Sequence, residues 1–271
     1  MRNEKIDGMS AIDHTFVICA YKESPYLEEM IQSIQAQTVK TKVLMTTSTR
    51  NDYIVSMAER YHIPLLVRDG QPDICDDWNF AYNSAETRWV TLAHQDDRYA
   101  PEYVQALIGS IQKRPDAIAF LTDYLPIHHG TEEIRDVNSK LRRLLRMPLK
   151  NTVMARSKFW KRQILSLGNS ICCPSVTYNK EKLGDSFFTT DLKYNIDWDT
   201  FLKLADISGT IAYADRPLTF YRISDEATSA MWIKNHTREK EDRQMFRKFW
   251  PNWMVDIIMH FYVKAYDTYE K

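Results

Sequence analysis

At 271 residues with 44% hydrophobic side chains, the chain is long enough to bury one substantial core, and no run is long enough to span a bilayer. Thirty-six basic and 36 acidic residues cancel to a formal charge of +0, which excludes a global pull toward nucleic acid or an anionic bilayer and leaves such attraction to local patches. Met1–Asp13 lacks the apolar core of a signal peptide, so a cytoplasmic chain is expected. Cys19, Cys75, Cys172 and Cys173 have no CxxC spacing and the histidines no HExxH, which argues against a disulfide framework and a zinc cage.

Thr15–Ala20 is a short apolar run that reads as a strand. Ser24 as N-cap and Pro25 at the first helical position open a helix whose apolar stripe is Leu27, Met30, Ile31 and Ile34. Lys42–Thr47 follows as a strand, Asp52–Tyr61 as a helix, Leu65–Arg68 as a strand, Ile74–Ala85 as a helix and Trp89–His94 as the fourth strand. Beyond Pro101, Val104, Leu107, Ile108 and Ile111 mark another helix, and Ala117–Thr122 a further strand. This alternation predicts an α/β fold, a mostly parallel Rossmann-like sheet flanked by helices. Ligands of such sheets bind beyond the strands' carboxyl ends, which puts Ala20-Tyr21-Lys22 and Gln95-Asp96-Asp97 on one edge. Adjacent carboxylates repel each other unless a divalent cation or ribose hydroxyls engage them; the alternative is a cap for the helix after Pro101.

After His128-His129, read as a loop, the composition shifts. No acidic residue lies between Asp136 and Glu181, while Lys140, Arg142, Arg143, Arg146, Lys150, Arg156, Lys158, Lys161 and Arg162 crowd together with Leu141, Leu144, Leu145, Met147, Phe159 and Trp160. Residues 140–162 read either as a basic amphipathic surface for an anionic membrane or a diphosphate-bearing acceptor, or as a solvated helical face. No nucleic-acid motif is present, and no nucleic-acid partner is expected. Asn195-Ile196-Asp197-Trp198-Asp199 opens a helix, Thr210–Ala214 and Leu218–Arg222 read as strands, and from Thr237 an aromatic, charged extension is interrupted at Pro251. That extension reads as packing, or as an interfacial or dimerisation helix.

Ala20-Tyr21-Lys22, Asp77-Trp78-Asn79, Gln95-Asp96-Asp97, Cys173-Pro174-Ser175-Val176, Asp197-Trp198-Asp199 and Tyr221-Arg222-Ile223 follow one another in the order of the family 2 glycosyltransferases. The chain resembles that family from about Thr15 to Ser229. The resemblance implies a GT-A fold with a helical C-terminal extension, a nucleotide-diphosphate sugar donor, a divalent cation (Mn²⁺ or Mg²⁺) and transfer to an acceptor hydroxyl with inversion. It implies Asp97 as metal ligand, with Asp96 assisting or holding the ribose hydroxyls, and the two roles can exchange. Asp197 matches the catalytic base, with Asp199 alternatively a partner of the helix dipole. Ala20 and Tyr21 match the loop along the nucleotide base, Asn79 a polar donor-side position, and Arg222 a cation on the diphosphate.

The implied organisation is a tail (1–13), a nucleotide-sugar half (14–125), an acceptor half with the basic insertion (126–232) and a helical extension (233–271). The implied acceptor is a saccharide or lipid-linked saccharide of bacterial surface-polysaccharide or glycolipid synthesis, met at the inner face of the cell membrane. The chain departs from the family pattern at Gln95, where relatives often begin an acidic motif, at Thr46–Thr49, where an acidic residue often contacts the base and Asp52 comes late, and at Ser224, where a histidine is frequent. Gln95 and Ser224 support an alternative reading as a catalytically degenerate scaffold that binds a partner or carrier. A nucleotidyltransferase wants a glycine-rich loop near the first strand, and none of the seven glycines clusters there.

Overall fold

The computed structural model describes residues 13–128, 131–132, 135, 137–223 and 237–263. Strand β1 (His14–Ala20) is buried on both faces at Phe16, Val17 and Ile18, so it needs a covering layer above and below and a strand on each side. The strands are β2 (Lys42–Thr47) and β4 (Trp89–His94), both parallel to it, and β3 (Leu65–Val67) extends the sheet beyond β2. Phe16 and Ile18 share one core with Leu27, Met30 and Ile31 of α1 (Leu27–Gln35), Ile54 of α2 (Asp52–Arg60) and Val104 and Leu107 of α4 (Tyr103–Gln112). Val17 faces the other core, built with Ala81 and Tyr82 of α3 (Ile74–Ser84) and Trp198 and Phe201 of α9 (Ile196–Asp206). Met245, Phe246, Val255 and Met259 of the helices Thr237–Phe246 and Asn252–Tyr262 belong to that second core, so the C-terminal extension packs on the domain.

Helix α1 begins two residues later than its cap residues suggest. Ser24 and Pro25 form a turn in which the Ser24 carbonyl accepts the Leu27 N–H, and Tyr26 is the N-cap. The sequence also hides β8 (Val176–Asn179), which enters antiparallel between β4 and β6 (Ala117–His128). Its four residues are all buried, so they show no alternation to read. Strand β6 continues past Thr122 to His128, and Thr210–Ile223 is a single strand, β9, parallel to β6 with register shifts around Asp123. Those irregularities bend the pair. The second half of β9 thereby reaches the short strand β5 (Arg98–Tyr99), which follows directly on the Asp96-Asp97 turn. The sheet order is β3-β2-β1-β4-β8-β6-β9-β5, with β7 (Thr131–Glu132) pairing on β6.

The basic segment divides: Lys140, Lys150, Arg156 and Lys158 are exposed, while other cations are buried or paired with acids. On α5 (Val137–Arg146), Arg146 is fully buried, bonded to Asp123 and the Ser170 carbonyl between the rings of Tyr124 and Tyr213. Arg143 makes a two-pronged contact with Asp215, at 2.7 and 2.8 Å, which Lys150 joins at 3.0 Å. Lys161, on α7 (Lys158–Gln163), donates to the carbonyls of Ile207 and Gly209, and burial lowers its pKa to about 8. Arg162 pairs with Asp206. The acids that neutralise these cations come from β6, β9 and α9, distant in sequence. The exposed large apolar residues of α5 are Val137, Leu141 and Leu144, one stripe at i, i+4, i+7. No helix among the described residues is long and apolar enough to cross a membrane.

The turn into β9 depends on Gly209. Its φ is +125°, and a Cβ there would stand 2.5 Å from Ile118 Cγ2 and 2.7 Å from the Asp116 carbonyl oxygen. Gly209→Ala combines backbone strain with a backbone clash, each costing about 1–3 kcal/mol. Urea denaturation should show a lowered midpoint with an unchanged m-value.

Candidate active site

The carboxyl ends of β1, β2 and β4 form one rim. Ala20 is buried, Tyr21 is 42% exposed, and Lys22 turns the chain in the left-handed region (φ 52°). The Gln95 side chain fixes this loop: its Oε1 accepts the Tyr21 N–H at 2.8 Å and its Nε2 donates to the Tyr21 carbonyl at 2.9 Å. A carboxylate can accept but not donate. Gln95 therefore makes a pair of bonds to this loop that a carboxylate in its place could not. Thr49 Oγ1 accepts the Lys22 N–H at 2.6 Å, tying the β2 end to the same loop. Beside the β2 end, Asp77 of α3 accepts from Ser48 Oγ at 2.8 Å and Arg68 Nε at 2.6 Å.

Asp96 and Asp97 have opposite environments. Asp97 is 1% exposed, and its Oδ1 accepts the Arg222 N–H at 2.9 Å. Its Oδ2 is buried without a hydrogen-bond partner, 3.8 Å from His94 Nδ1, and Trp78 stacks on the His94 ring. Burial first, and then the Asp96 charge, push Asp97 well above the usual carboxylate range, while burial lowers His94. Asp96 is half-buried. Arg222 is held within the protein: Nε donates to the Asp96 carbonyl at 2.9 Å, Nη2 to Glu29 at 2.7 Å, and the guanidinium lies 4.0 Å over the Tyr26 ring. Asn79 is likewise engaged inward, its amide exchanging two hydrogen bonds with the Phe188 backbone at 2.6 and 3.0 Å. These side chains brace the rim and the segment leading to α9.

On the far side, Asp197 and Asp199 separate clearly. Burial opposes ionisation of Asp199, but Lys248 and Lys203 overcome it and hold this carboxyl below its ordinary value. Asp197 is half-buried, accepting from Asn169 Nδ2 at 2.7 Å and from the Trp198 N–H at 2.7 Å. Burial raises its pKa to about 6 against the opposing pull of the Trp198 N–H, Arg142 and Asn169. Cys172 and Cys173 lie within electrostatic reach of both Asp97 and Asp197; burial raises both thiols and the two aspartates raise them further. Asn169 carries no sequence signal for this role, because an amide between the helical runs looks like any loop residue.

Among the described residues no three His, Cys, Asp or Glu side chains converge into a metal cage. Ser224 lies outside the described residues.

Residues 15–177 match the family model for glycosyl transferase family 2. Among solved structures, S. aureus TarS 1–349 in complex with UDP-GlcNAc matches with a TM-score of 0.61 at 15% identity, over 91% of this chain and 70% of that one. Mannosyltransferase PcManGT from Pyrobaculum calidifontis, in complex with GDP-Man and Mn²⁺, matches at 0.64 and 16% identity, over 92% and 70%. Glucosyl-3-phosphoglycerate synthase from Mycobacterium tuberculosis, in complex with Mn²⁺, UDP and glucosyl-3-phosphoglycerate, matches at 0.55 and 12%, over 83% and 76%. At such identities the likeness is one of fold. No curated protein sequence matches the chain.

Proposed function

The chain belongs to glycosyl transferase family 2, and from that membership we propose that it moves a sugar from a nucleotide-diphosphate sugar to an acceptor hydroxyl with inversion. The observation that carries this reading is the contrast between Asp197 and Asp199. Asp199 is neutralised by two lysines, whereas Asp197 is half-buried with its pKa raised to about 6, a value suited to a general base near neutral pH. In the proposed reaction Asp197 accepts the acceptor hydroxyl's proton as that oxygen attacks the anomeric carbon, and the nucleoside diphosphate leaves with the bonding pair. Ala20 and the exposed Tyr21 ring lie along the nucleotide base, in a loop that Gln95 holds.

The donor set fits a divalent cation of the Mg²⁺ or Mn²⁺ class, which is bound through one or two carboxylates with substrate phosphates completing the shell. Asp96, the more open of the two acids, would contact it, while Asp97 holds the Arg222 backbone beneath; this exchanges the order of preference that the resemblance alone suggests. When bound, such an ion neutralises charge developing on the departing diphosphate. Residues 14–125 would then form the donor half and 126–232 the acceptor half, with the helices Thr237–Phe246 and Asn252–Tyr262 packed against the second core. A saccharide or lipid-linked saccharide is the proposed acceptor. A lipid-linked one at the inner membrane face would meet the exposed Val137, Leu141 and Leu144 stripe of α5.

The test is thermal unfolding with UDP-GlcNAc, GDP-mannose, UDP and GDP, in Mn²⁺ and in EDTA. At least one nucleotide should raise Tm in Mn²⁺ and not in EDTA. Equal shifts in both would count against the site.

A further inference from the structure

Glu241 lies on the helix Thr237–Phe246, beyond the residues that match the family model, and is 6% exposed. Its carboxylate accepts three consecutive backbone N–H groups: Lys193 at 2.8 Å on Oε1, and Tyr194 at 2.8 Å and Asn195 at 2.9 Å on Oε2. Successive N–H groups that converge make an anion cradle. Here a side chain of the same protein fills it, through charge-assisted bonds in a buried setting. The neighbouring Asp242, 1% exposed, accepts from Asn195 Nδ2 at 2.7 Å.

Asn195 is the N-cap of α9, and Asp197 stands two residues into that helix. A cap asparagine ordinarily accepts an N–H of its own first turn. Asn195 makes no such bond, because its side chain is given to Asp242. The approach to α9 is therefore held from outside the helix. The same segment is fastened upstream, where Asn79 clasps the Phe188 backbone and Lys193 Nζ donates to Asp73 at 2.9 Å.

We infer that Glu241, supported by Asp242, is a positioning residue for Asp197: it fixes the first turn of α9 and so the place from which the carboxylate meets the acceptor hydroxyl. The inference rests on Asp197 being the base. Glu241 touches no reacting atom in this account. Its effect is transmitted through the backbone of residues 193–195, and a displacement of about 1 Å at a reacting group can cost about 10²-fold in rate.

Glu241→Ala empties the cradle, and the nearly isosteric Glu241→Gln sets an NH₂ group against N–H donors. Amide hydrogen exchange at 193–195 and the ¹³C titration of the Asp197 carboxyl, identified by its loss in Asp197→Asn, read the result without any donor sugar. The expected outcome is exchange faster by tenfold or more at those three amides, and an Asp197 midpoint moved by at least one unit from about 6 toward 3.8 as its surroundings hydrate. Asp242→Asn provides the same readouts if Glu241→Ala does not fold. Folded Glu241→Gln with wild-type exchange and an unmoved Asp197 midpoint would overturn the inference. Turnover by Asp197→Asn at the wild-type rate would instead remove the base assignment, and leave the exchange result standing as a statement about position.

Discussion

Asp197→Asn should lower transfer turnover about 10²–10⁴-fold, the usual contribution of a positioned general base. Asparagine keeps the shape and one acceptor oxygen, and sets its NH₂ against either Asn169 Nδ2 or the Trp198 N–H, so fold stability is read alongside turnover. The wild-type profile should carry the matching pH limb. A base must be ionised to accept a proton, so the rate rises with pH through the Asp197 midpoint of about 6 and levels above it. Stability should run the other way. The Asp197 pKa is higher in the fold than its ordinary 3.8, so its protonated form stabilises the native state, a contribution complete below about 3.8 and lost as pH rises through about 6. At pH 7.5 the asparagine variant sheds the buried charge but leaves one donor unpaired, so it should melt close to wild type while being nearly inactive. A variant that kept full turnover, or a pH limb surviving in Asp197→Asn, would exclude Asp197 as the base.

The second large effect separates the adjacent acids. Asp96→Ala should abolish the part of nucleotide stabilisation that requires Mn²⁺. At a ligand concentration of 100 Kd that part is worth about 2.7 kcal/mol, or roughly 5 °C in a chain of this size. Asp97→Asn should retain it, since the amide oxygen still accepts the Arg222 N–H beneath the rim. Asp97→Ala leaves that buried N–H without its acceptor and should cost about 1–3 kcal/mol of fold stability whether or not nucleotide is present. Thermal unfolding of the three variants, each with and without Mn²⁺, checks both statements. If Asp97→Asn loses the metal-dependent shift and Asp96→Ala keeps it, the roles are exchanged.

The two acids show why the rim was legible and its internal division of labour was not. Pattern reading finds a strand from Trp89 to His94 and a carboxylate pair at its end, because strand ends and charge are local properties. Which carboxylate faces out depends on Arg222, 125 positions away, whose backbone N–H captures Asp97. Asn79 and Gln95 repeat the lesson. Each looks like a polar surface residue in sequence, and each spends its amide on the backbone of a distant segment.

Sequence by itself determined the alternation of β1 to β4 with their helices, the bounds of Lys42–Thr47 and Trp89–His94, the shared edge of Ala20 and Asp96, and the motif order that points to the family. These follow from side-chain periodicity, turn chemistry and residue order along the chain. Tertiary structure alone decided the antiparallel insertion of β8, the single bent strand β9, the acidic partners of Arg143 and Arg146, the pairing of Asp199 with lysines, and the Glu241 cradle before Asp197. The physical reason is common to all five. A buried strand, charge or N–H group is satisfied by whichever partner the fold brings to it, and that partner's place in the chain leaves no local trace.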